Sequence, residues 1–162
     1  MIQVTVATLA LALALPAMAA AQARTNFAGI WNVDAAKSDP PPQGGGGRGM
    51  GGGATTTKLV ITQSAAEMTV VATNARGETK TSYKLDGTEM KETAAMGESK
   101  AKVSWDGAKL VVNRVQNVTT PQGAFEITSK ETYSVEGGVL TLVTARHSPM
   151  GDTSRKTVFT KG

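Results

Sequence analysis

The chain has 162 residues, a formal net charge of +4 and no cysteine. This length predicts one domain, and the missing cysteines exclude a disulfide framework, a thiolate metal site and a lipidated cysteine anchor. The lysines are scattered along the sequence and alternate with glutamates, so the basic balance indicates solubility and no nucleic-acid partner is predicted.

The first residues have the pattern of a secretory signal peptide. Residues 6–15 form an apolar run, and small residues follow it as far as Ala23, although no lysine or arginine precedes the run. Because the run is too short to cross a bilayer core of about 30 Å, it predicts cleavage rather than a membrane anchor. We expect a signal peptide at 1–23, with Ala19 as the alternative cleavage site, and an exported bacterial protein, periplasmic or secreted, without an integral membrane span.

A Pro/Gly-rich insert at 39–57 follows the start of the mature domain, which we place at 24–162. Positions 44–53 hold eight glycines. Glycine loses more backbone entropy on ordering than any other residue, which predicts a flexible segment. A phosphate-binding loop is not indicated, since the run lacks the Gly-Lys-Ser/Thr ending and leads from no strand into a helix.

From residue 26 onward, apolar and polar side chains alternate with a period of two, the pattern of half-buried strands. The predicted strands cover 27–33, 59–62, 68–73, 79–85, 99–105, 110–115, 125–133, 139–145 and 155–159. Asp86-Gly87, Asp106-Gly107 and Gly137-Gly138 predict hairpins between them. No convincing helical period follows residue 26. The predicted fold class is all-β, an antiparallel up-and-down barrel of about ten strands.

The inward faces predict a partly hydrated interior. Every aromatic residue falls in or beside a predicted strand, and its simplest role is core packing. The same faces also carry hydroxyl groups, and buried hydroxyls need partners such as ordered water. The inward hydroxyl positions are predicted to be Thr79, Thr81, Ser99 and Thr141.

Two sequence features resemble a known family. The opening Phe27-Ala-Gly-Ile-Trp31 and the Asp-Gly-x-Lys-Leu turn that starts at Asp106 resemble lipocalin and fatty-acid-binding-protein domains, and also uncharacterised exported bacterial lipocalin-like proteins. The resemblance implies a ten-stranded calycin-type barrel that is open at one end.

The sequence departs from that family at two places. A helix pair lids the cavity of the family between its first two strands, whereas residues 34–57 here show no helical pattern. Members of the family bind a fatty-acid carboxylate through an arginine and a tyrosine two residues apart on the last strand. The matching positions here are Thr157 and Phe159, so that site is missing, with Arg155 on the same face as a possible substitute.

The predicted function is the binding of a small apolar or amphipathic ligand inside the barrel of a monomeric protein. Arg114 and Glu131 share the parity of inward residues, which makes them either a polar anchor for a ligand head group or charges that a bulge turns to solvent. The predicted ligand-binding residues are Trp31, Met68, Tyr83, Trp105, Arg114, Phe125, Glu131 and Arg155. The alternative is a structural or interaction protein of the cell envelope, with a filled barrel and the glycine-rich insert as a docking loop.

Catalysis, a metal and a cofactor are not predicted. His147 and Met150 are a potential pair of metal ligands, but two ligands without a cysteine do not make a site. His147, Ser148 and Asp152 are the residue types of a hydrolytic triad, but near neighbours on one turn seldom converge. We therefore expect a protein that is not an enzyme.

Overall fold

The computed structural model describes residues 24–40, 55–94, 97–121 and 123–162. The predicted signal peptide and the glycine run at 44–53 lie outside these residues. Ten strands make up the described fold. They are β1 (Gly29–Val33), β2 (Thr56–Gln63), β3 (Glu67–Asn74), β4 (Gly77–Lys84), β5 (Met90–Ala94), β6 (Gly97–Asp106), β7 (Lys109–Thr120), β8 (Gly123–Glu136), β9 (Val139–Ser148) and β10 (Gly151–Lys161).

The strands form one antiparallel sheet that curls into a nearly closed barrel. The order around it is β4-β3-β2-β1-β10-β9-β8-β7-β6-β5, so the first strand pairs with the last and bridges the two halves of the chain. The described residues contain no helix, as the alternating pattern predicts. The predicted fold class and the number of strands are therefore confirmed.

The predicted hairpin at Asp86-Gly87 is wrong. The chain does turn there, and the Asp86 carboxylate accepts a hydrogen bond from the Thr88 backbone N–H at 2.8 Å. However, β4 and β5 are the two edges of the sheet and are not hydrogen-bonded to each other. The barrel wall is thus interrupted where the sequence predicts continuous pairing, and the Met90 sulfur accepts a hydrogen bond from the Lys84 backbone N–H across that gap.

The other predicted hairpins are confirmed. Asp106 pairs with Lys109 around Gly107, and Glu136 pairs with Val139 around Gly137-Gly138. Both glycines of the second loop have positive φ, at 56° and 76°, which is the backbone that a tight turn between right-twisted strands requires.

The stem that leads into the Pro/Gly-rich insert follows β10 beyond the end of β1. The Asp34 N–H donates to the Val158 carbonyl at 2.8 Å, and the Asp39 N–H donates to the Lys156 carbonyl at 2.9 Å. β2 begins at Thr56, on the same end of the barrel. We call this end the upper end, and the opposite end, which carries the Gly107 and Gly137 loops, the base.

Strand register fixes which side chains point inward. Residues paired directly across antiparallel strands share a face, and neighbours along a strand alternate. Thr79 and Thr81 pair with Ala72 and Val70 on the inner face, as predicted. Thr141 lies between the inward residues Leu140 and Leu142 and pairs with Val158, so it points outward and its predicted orientation is wrong.

No helix within the described ranges is long and apolar enough to cross a membrane.

Candidate functional site

The base of the barrel is filled by large side chains. Trp31, only 2% exposed, and Phe27, Met68 and Phe159, each with no exposed surface, belong to one continuous apolar cluster. The indole N–H of Trp31 donates to the Phe27 carbonyl at 2.9 Å, which satisfies its polar atom inside the cluster. Two predicted ligand-binding residues, Trp31 and Met68, therefore lie within packed core.

The segment before β1 closes the base. The Phe27 N–H donates to the Gln63 side chain at 2.9 Å, and the Gln63 amide donates to the Thr25 carbonyl at 2.9 Å. The Thr25 hydroxyl donates to the Ala108 carbonyl in the β6–β7 loop at 2.6 Å. These bonds hold Phe27 across the base of the barrel, and its ring lies 6.2 Å from that of Tyr133.

Trp105 belongs to the same closure. Its ring stacks on Phe27 with centroids 6.1 Å apart, and the Arg24 guanidinium lies 5.5 Å from the Trp105 ring centre. Its indole Nε1 is buried and makes no hydrogen bond within the described part of the chain. The structure thus places Trp105, a third predicted ligand-binding residue, at the base.

A polar network crosses the interior directly above this core. The Tyr83 hydroxyl on β4 and the Tyr133 hydroxyl on β8 both donate to Oε2 of Glu131, at 3.3 Å and 3.1 Å. Both tyrosines are buried. Burial, followed by the nearby Glu131 carboxylate, raises the pKa of Tyr83 and that of Tyr133 well above the usual range, because each effect disfavours a phenolate. Both phenols are therefore hydrogen-bond donors at any physiological pH.

Arg114 lies on β7 beside this network and points inward. Its guanidinium Nη1 donates to the Ser99 hydroxyl at 3.4 Å, and Ser99 is buried on the inner face, as predicted. The register pairs Arg114 with Ala101 on one side and with Ser129 on the other. Glu131 pairs with Val112 on the same face. Arg114 and Glu131 therefore point inward and no bulge turns them to solvent, while their role as a polar anchor for a ligand stays a prediction.

Two further arginines face the interior from the neighbouring strands. Arg155 on β10 pairs with Thr144, which in turn pairs with Glu131, so these three residues form one inward row. Arg146 pairs with Ser129 on the row above. The Nε of Arg155 is buried and makes no hydrogen bond within the described ranges. A buried guanidinium nitrogen without an acceptor can receive a hydrogen-bond acceptor from a ligand.

Sequence reasoning missed Arg146 and Tyr133. The signal for Arg146 was present, since it has the same parity as the inward residues Leu140 and Leu142 on β9. Tyr133 has the same parity as Glu131 on β8, but its bond to Glu131 and the approach of Tyr83 from the opposite wall depend on the diameter of the barrel. No local pattern in the sequence encodes that distance.

The upper part of the interior is apolar on one wall and reachable by solvent. Phe125 pairs with the fully buried Val118, and Ile127 follows on the same face of β8. Phe125, Thr144, Arg146 and Arg155 are all half-buried although they point inward. Solvent therefore reaches this level of the barrel, whereas most inward side chains of the base are buried.

The outer face of β9 and β10 does not assemble a catalytic triad. His147 Nδ1 contacts the Asp152 carboxylate, and both side chains are largely exposed. Ser148 is the next residue along β9, lies on the opposite face and donates to the Gly151 carbonyl at 3.1 Å. Met150 is 88% exposed in the adjacent loop. The described residues contain no group of three or more histidine, aspartate or glutamate side chains positioned to hold a metal ion.

Solved structures with the same architecture include proteins that are named for the lipids they bind or transport. The zebrafish ileal bile acid-binding protein in complex with cholic acid matches with 16% identity and a TM-score of 0.58, over 84% of this chain and 98% of that chain. The REP1-NXSQ fatty acid transporter matches with 17% identity and a TM-score of 0.57, over 83% and 95%. The apo lipid binding protein 8 of Caenorhabditis elegans matches with 16% identity and a TM-score of 0.57, over 84% and 95%.

No family model matches the sequence, and no curated protein matches it. At these identities the structural likeness concerns the fold. It confirms, at that level, the resemblance seen in the opening strand and in the succession of hairpins: the chain is a calycin-like β-barrel of ten antiparallel strands.

Proposed function

We propose that this protein is an exported β-barrel that binds a small amphipathic ligand in the upper half of its interior. The observation that carries the proposal is the contrast between the two levels of the barrel. Below the Tyr83–Glu131–Tyr133 network most inward side chains are apolar and buried, whereas above it inward arginine, threonine and phenylalanine side chains are only half-buried. A barrel whose interior served only stability would be filled with apolar side chains and would not hold accessible arginines.

The ligand's apolar part is assigned to the wall formed by Phe125, Val118 and Ile127. Burial of apolar surface supplies about 25 cal/mol per Å² before the cost of ordering the ligand. The network around Tyr83 forms the floor below it. Of the eight predicted ligand-binding residues, five stay in the proposed site, namely Tyr83, Arg114, Phe125, Glu131 and Arg155, while Trp31, Met68 and Trp105 serve the base.

The ligand's head group is assigned an acidic character. Arg114, Arg146 and Arg155 face the interior, and Glu131 is already bonded to two phenols. Among the described inward side chains of this level arginines outnumber carboxylates, and charge-assisted bonds from a guanidinium favour carboxylate, sulfate or phosphate groups. The unpaired buried Nε of Arg155 makes this arginine the expected primary contact. The fatty acid transporter and the bile acid-binding protein of the same fold carry acidic amphipathic molecules by name, which supports this ligand class.

Native mass spectrometry of the full chain, expressed with its own N-terminal segment in a bacterial periplasm, tests the proposal. We expect a fraction of the protein to carry a small molecule that organic extraction releases. Arg155→Gln is expected to weaken retention of an anionic amphiphile at least tenfold, whereas Lys156→Gln, the next residue on the outward face of the same strand, leaves it unchanged. A protein that is always empty, and that shows no thermal shift with fatty acids, bile acids or lysophospholipids, contradicts ligand binding.

That empty outcome would instead support the second candidate, a scaffold or interaction protein. The observation in its favour is the fully packed base with Phe27 seated across it.

Export is the other part of the proposal. Cleavage after Ala23 leaves the segment from Arg24 to Ala28 intact, and this segment closes the base through the bonds of Thr25 and Phe27. We expect N-terminal sequencing of the periplasmic or secreted protein to begin at Arg24. Recovery of the full-length chain in the cytoplasm only would contradict export.

A further inference from the structure

Lysines that are scattered in the sequence converge on the outer face of the barrel. The register places Lys91 of β5 directly opposite Lys100 of β6, and Lys102 pairs with Asn113, which pairs with Lys130 of β8. These four lysines share the outward parity, and Lys91, Lys102 and Lys130 are exposed. Within the described residues none of the four makes an ion pair.

The direct pairing of Lys91 with Lys100 is unfavourable in the isolated protein. Like charges directly opposite each other on an antiparallel pair are destabilising. The outward carboxylates Glu98 and Glu126 lie on the next row toward the upper end and form no ion pair with these lysines. A bound anion would remove the repulsion.

The lysine patch leads into a groove that crosses four strands. A cleft of about 610 Å³ lies across β7, β8, β9 and β10 and is bordered by two rows of outward side chains. Lys130 and Asn113 border it on one side, and Thr128 and His147 on the other. By register the next residues of the two rows on β6 are Lys102 and Lys100, so the lysine patch adjoins the cleft, and we call the two together the cross-strand groove. From β5 to β10 its length is about 24 Å, given about 4.8 Å between neighbouring strands.

The side chains of the groove limit the class of molecule that it can bind. Its walls carry amide and hydroxyl groups, at Asn113, Thr128 and Ser154, next to the lysines. The Phe, Tyr and Trp side chains of the described strands point inward, so the imidazole of His147 is the only ring that the groove's described residues offer to a nucleobase. The exposed large hydrophobic side chains of the described residues are Ile30 and Met150, and neither lines the groove, so apolar insertion into a bilayer is not supported.

We propose that the cross-strand groove binds a segment of an acidic polysaccharide. Lysine ammonium groups meet its carboxylates, and the amide and hydroxyl groups of the walls meet its sugar hydroxyls. The His147–Asp152 contact lies at the β10 end of the groove and places a carboxylate there, so the lysines at the other end are assigned the acidic groups of the ligand. This site lies on the outer face and is independent of the ligand proposed for the interior.

Binding of a polyuronate oligosaccharide to the full mature chain, measured by titration calorimetry at about 50 mM salt, tests the proposal. Lys100→Gln, Lys102→Gln and Lys130→Gln together are expected to weaken binding about tenfold. The matched control combines Lys58→Gln, Lys109→Gln and Lys156→Gln, which removes the same charge from other outer positions and is expected to change binding less than twofold. Retention of an interior ligand, measured by native mass spectrometry, is expected to be unaffected by either triple variant.

Three results would overturn the proposal. The first is no binding of the oligosaccharide by the wild-type chain. The second is an equal loss in the two triple variants, which would show attraction by net charge alone. The third is tighter binding to a single-stranded oligonucleotide or to vesicles containing phosphatidylglycerol than to the polyuronate, since the occupant would then belong to another class.

Discussion

The base and the upper half of the barrel are built from the same strands, but the base buries apolar side chains and the upper half holds charged ones. On β8, Tyr133 is sealed in the base, and two residues further up, Glu131 begins the polar level. On β10, the buried Phe159 lies below and Arg155 lies above. The base removes apolar surface from water, which stabilises the fold. The upper half holds charged groups in an interior, which costs stability unless each finds a partner.

This division separates folding from binding within one sheet. A cavity that ran the full length of the barrel would remove the buried side chains that stabilise a domain without disulfides. Filling the base and closing it with the segment around Phe27 leaves the upper level free to carry arginines. The following predictions test whether stability belongs to one level and ligand retention to the other.

The largest expected effect is the loss of a base side chain. Trp31→Ala removes an almost fully buried indole together with its bond to the Phe27 carbonyl. We expect the free energy of unfolding to fall by about 3–5 kcal/mol, measured by urea denaturation followed by circular dichroism. Ile30→Ala, at the adjacent outward position that is 45% exposed, is the control and should cost less than about 1 kcal/mol. Equal losses at the two positions would contradict a packed base.

The second prediction concerns alkaline pH. Both phenols of the polar network have a pKa that is raised in the folded protein, so their protonated form favours folding. Their contribution is complete below the unfolded value near 10 and is lost as the pH rises toward the folded value. Each phenol then adds about 1.4 kcal/mol per pH unit to the decline of the free energy of unfolding.

Urea denaturation between pH 8 and pH 11 measures that decline. The double variant Tyr83→Phe/Tyr133→Phe should be less stable at pH 8, by about 1–3 kcal/mol for the two lost hydrogen bonds. Its stability should then fall less steeply above pH 10 than that of the wild type, because lysine titration is common to both proteins. Parallel curves would show that neither phenol is buried beside Glu131.

The sequence was sufficient to predict the barrel, because alternation reports directly which residues share a face of a strand. It predicted the inward positions of Arg114, Glu131 and Arg155 correctly. It failed for Thr141, since on β9 residues of both parities are apolar and the outer face is itself partly covered. It also failed at Asp86-Gly87, because an Asp-Gly turn looks the same whether or not the strands on either side of it pair.

The sequence could not predict how deep in the barrel an inward side chain lies, or how far apart side chains on different strands are. Trp31, Met68 and Arg155 all share the inward parity, yet two of them are packed core and one lies at the solvent-reachable level. Which level a residue occupies depends on the tilt and stagger of the strands, which are properties of the closed sheet. The same holds for the lysine patch, since the distance between Lys91, Lys102 and Lys130 is set by the register of separate strands.

The third prediction tests what holds the upper half, where side-chain packing is weaker. Gly97 at the start of β6 has a φ of +136°, and an added Cβ would lie 1.8 Å from the Asn117 carbonyl oxygen on β7. Gly77 has a similar φ of +122° but open space around it. Backbone strain costs about 1–3 kcal/mol at either position, and Gly97→Ala adds a steric clash with backbone. We expect Gly97→Ala to be less stable than Gly77→Ala by about 2 kcal/mol in urea denaturation. Equal costs would mean that β6 and β7 separate easily at this end.

The smallest expected effect has the opposite sign. Arg155→Met replaces a guanidinium whose buried Nε lacks a partner with an apolar side chain that fills similar space. Because an unsatisfied buried donor costs free energy, the empty protein should become more stable by about 1 kcal/mol. Arg146→Met, at an inward arginine without such an orphaned atom, should change the stability by less than about 0.5 kcal/mol.

Stability and ligand retention should therefore move in opposite directions at Arg155. Thermal unfolding of delipidated protein measures the first, and native mass spectrometry of protein isolated with its ligand measures the second. A destabilised Arg155→Met variant that still retains ligand would assign Arg155 to the framework of the barrel, and the line between base and binding level would then have to be drawn above it. A variant that is more stable and empty would show that the protein keeps an unfavourable buried charge at Arg155 because a bound ligand pairs with it.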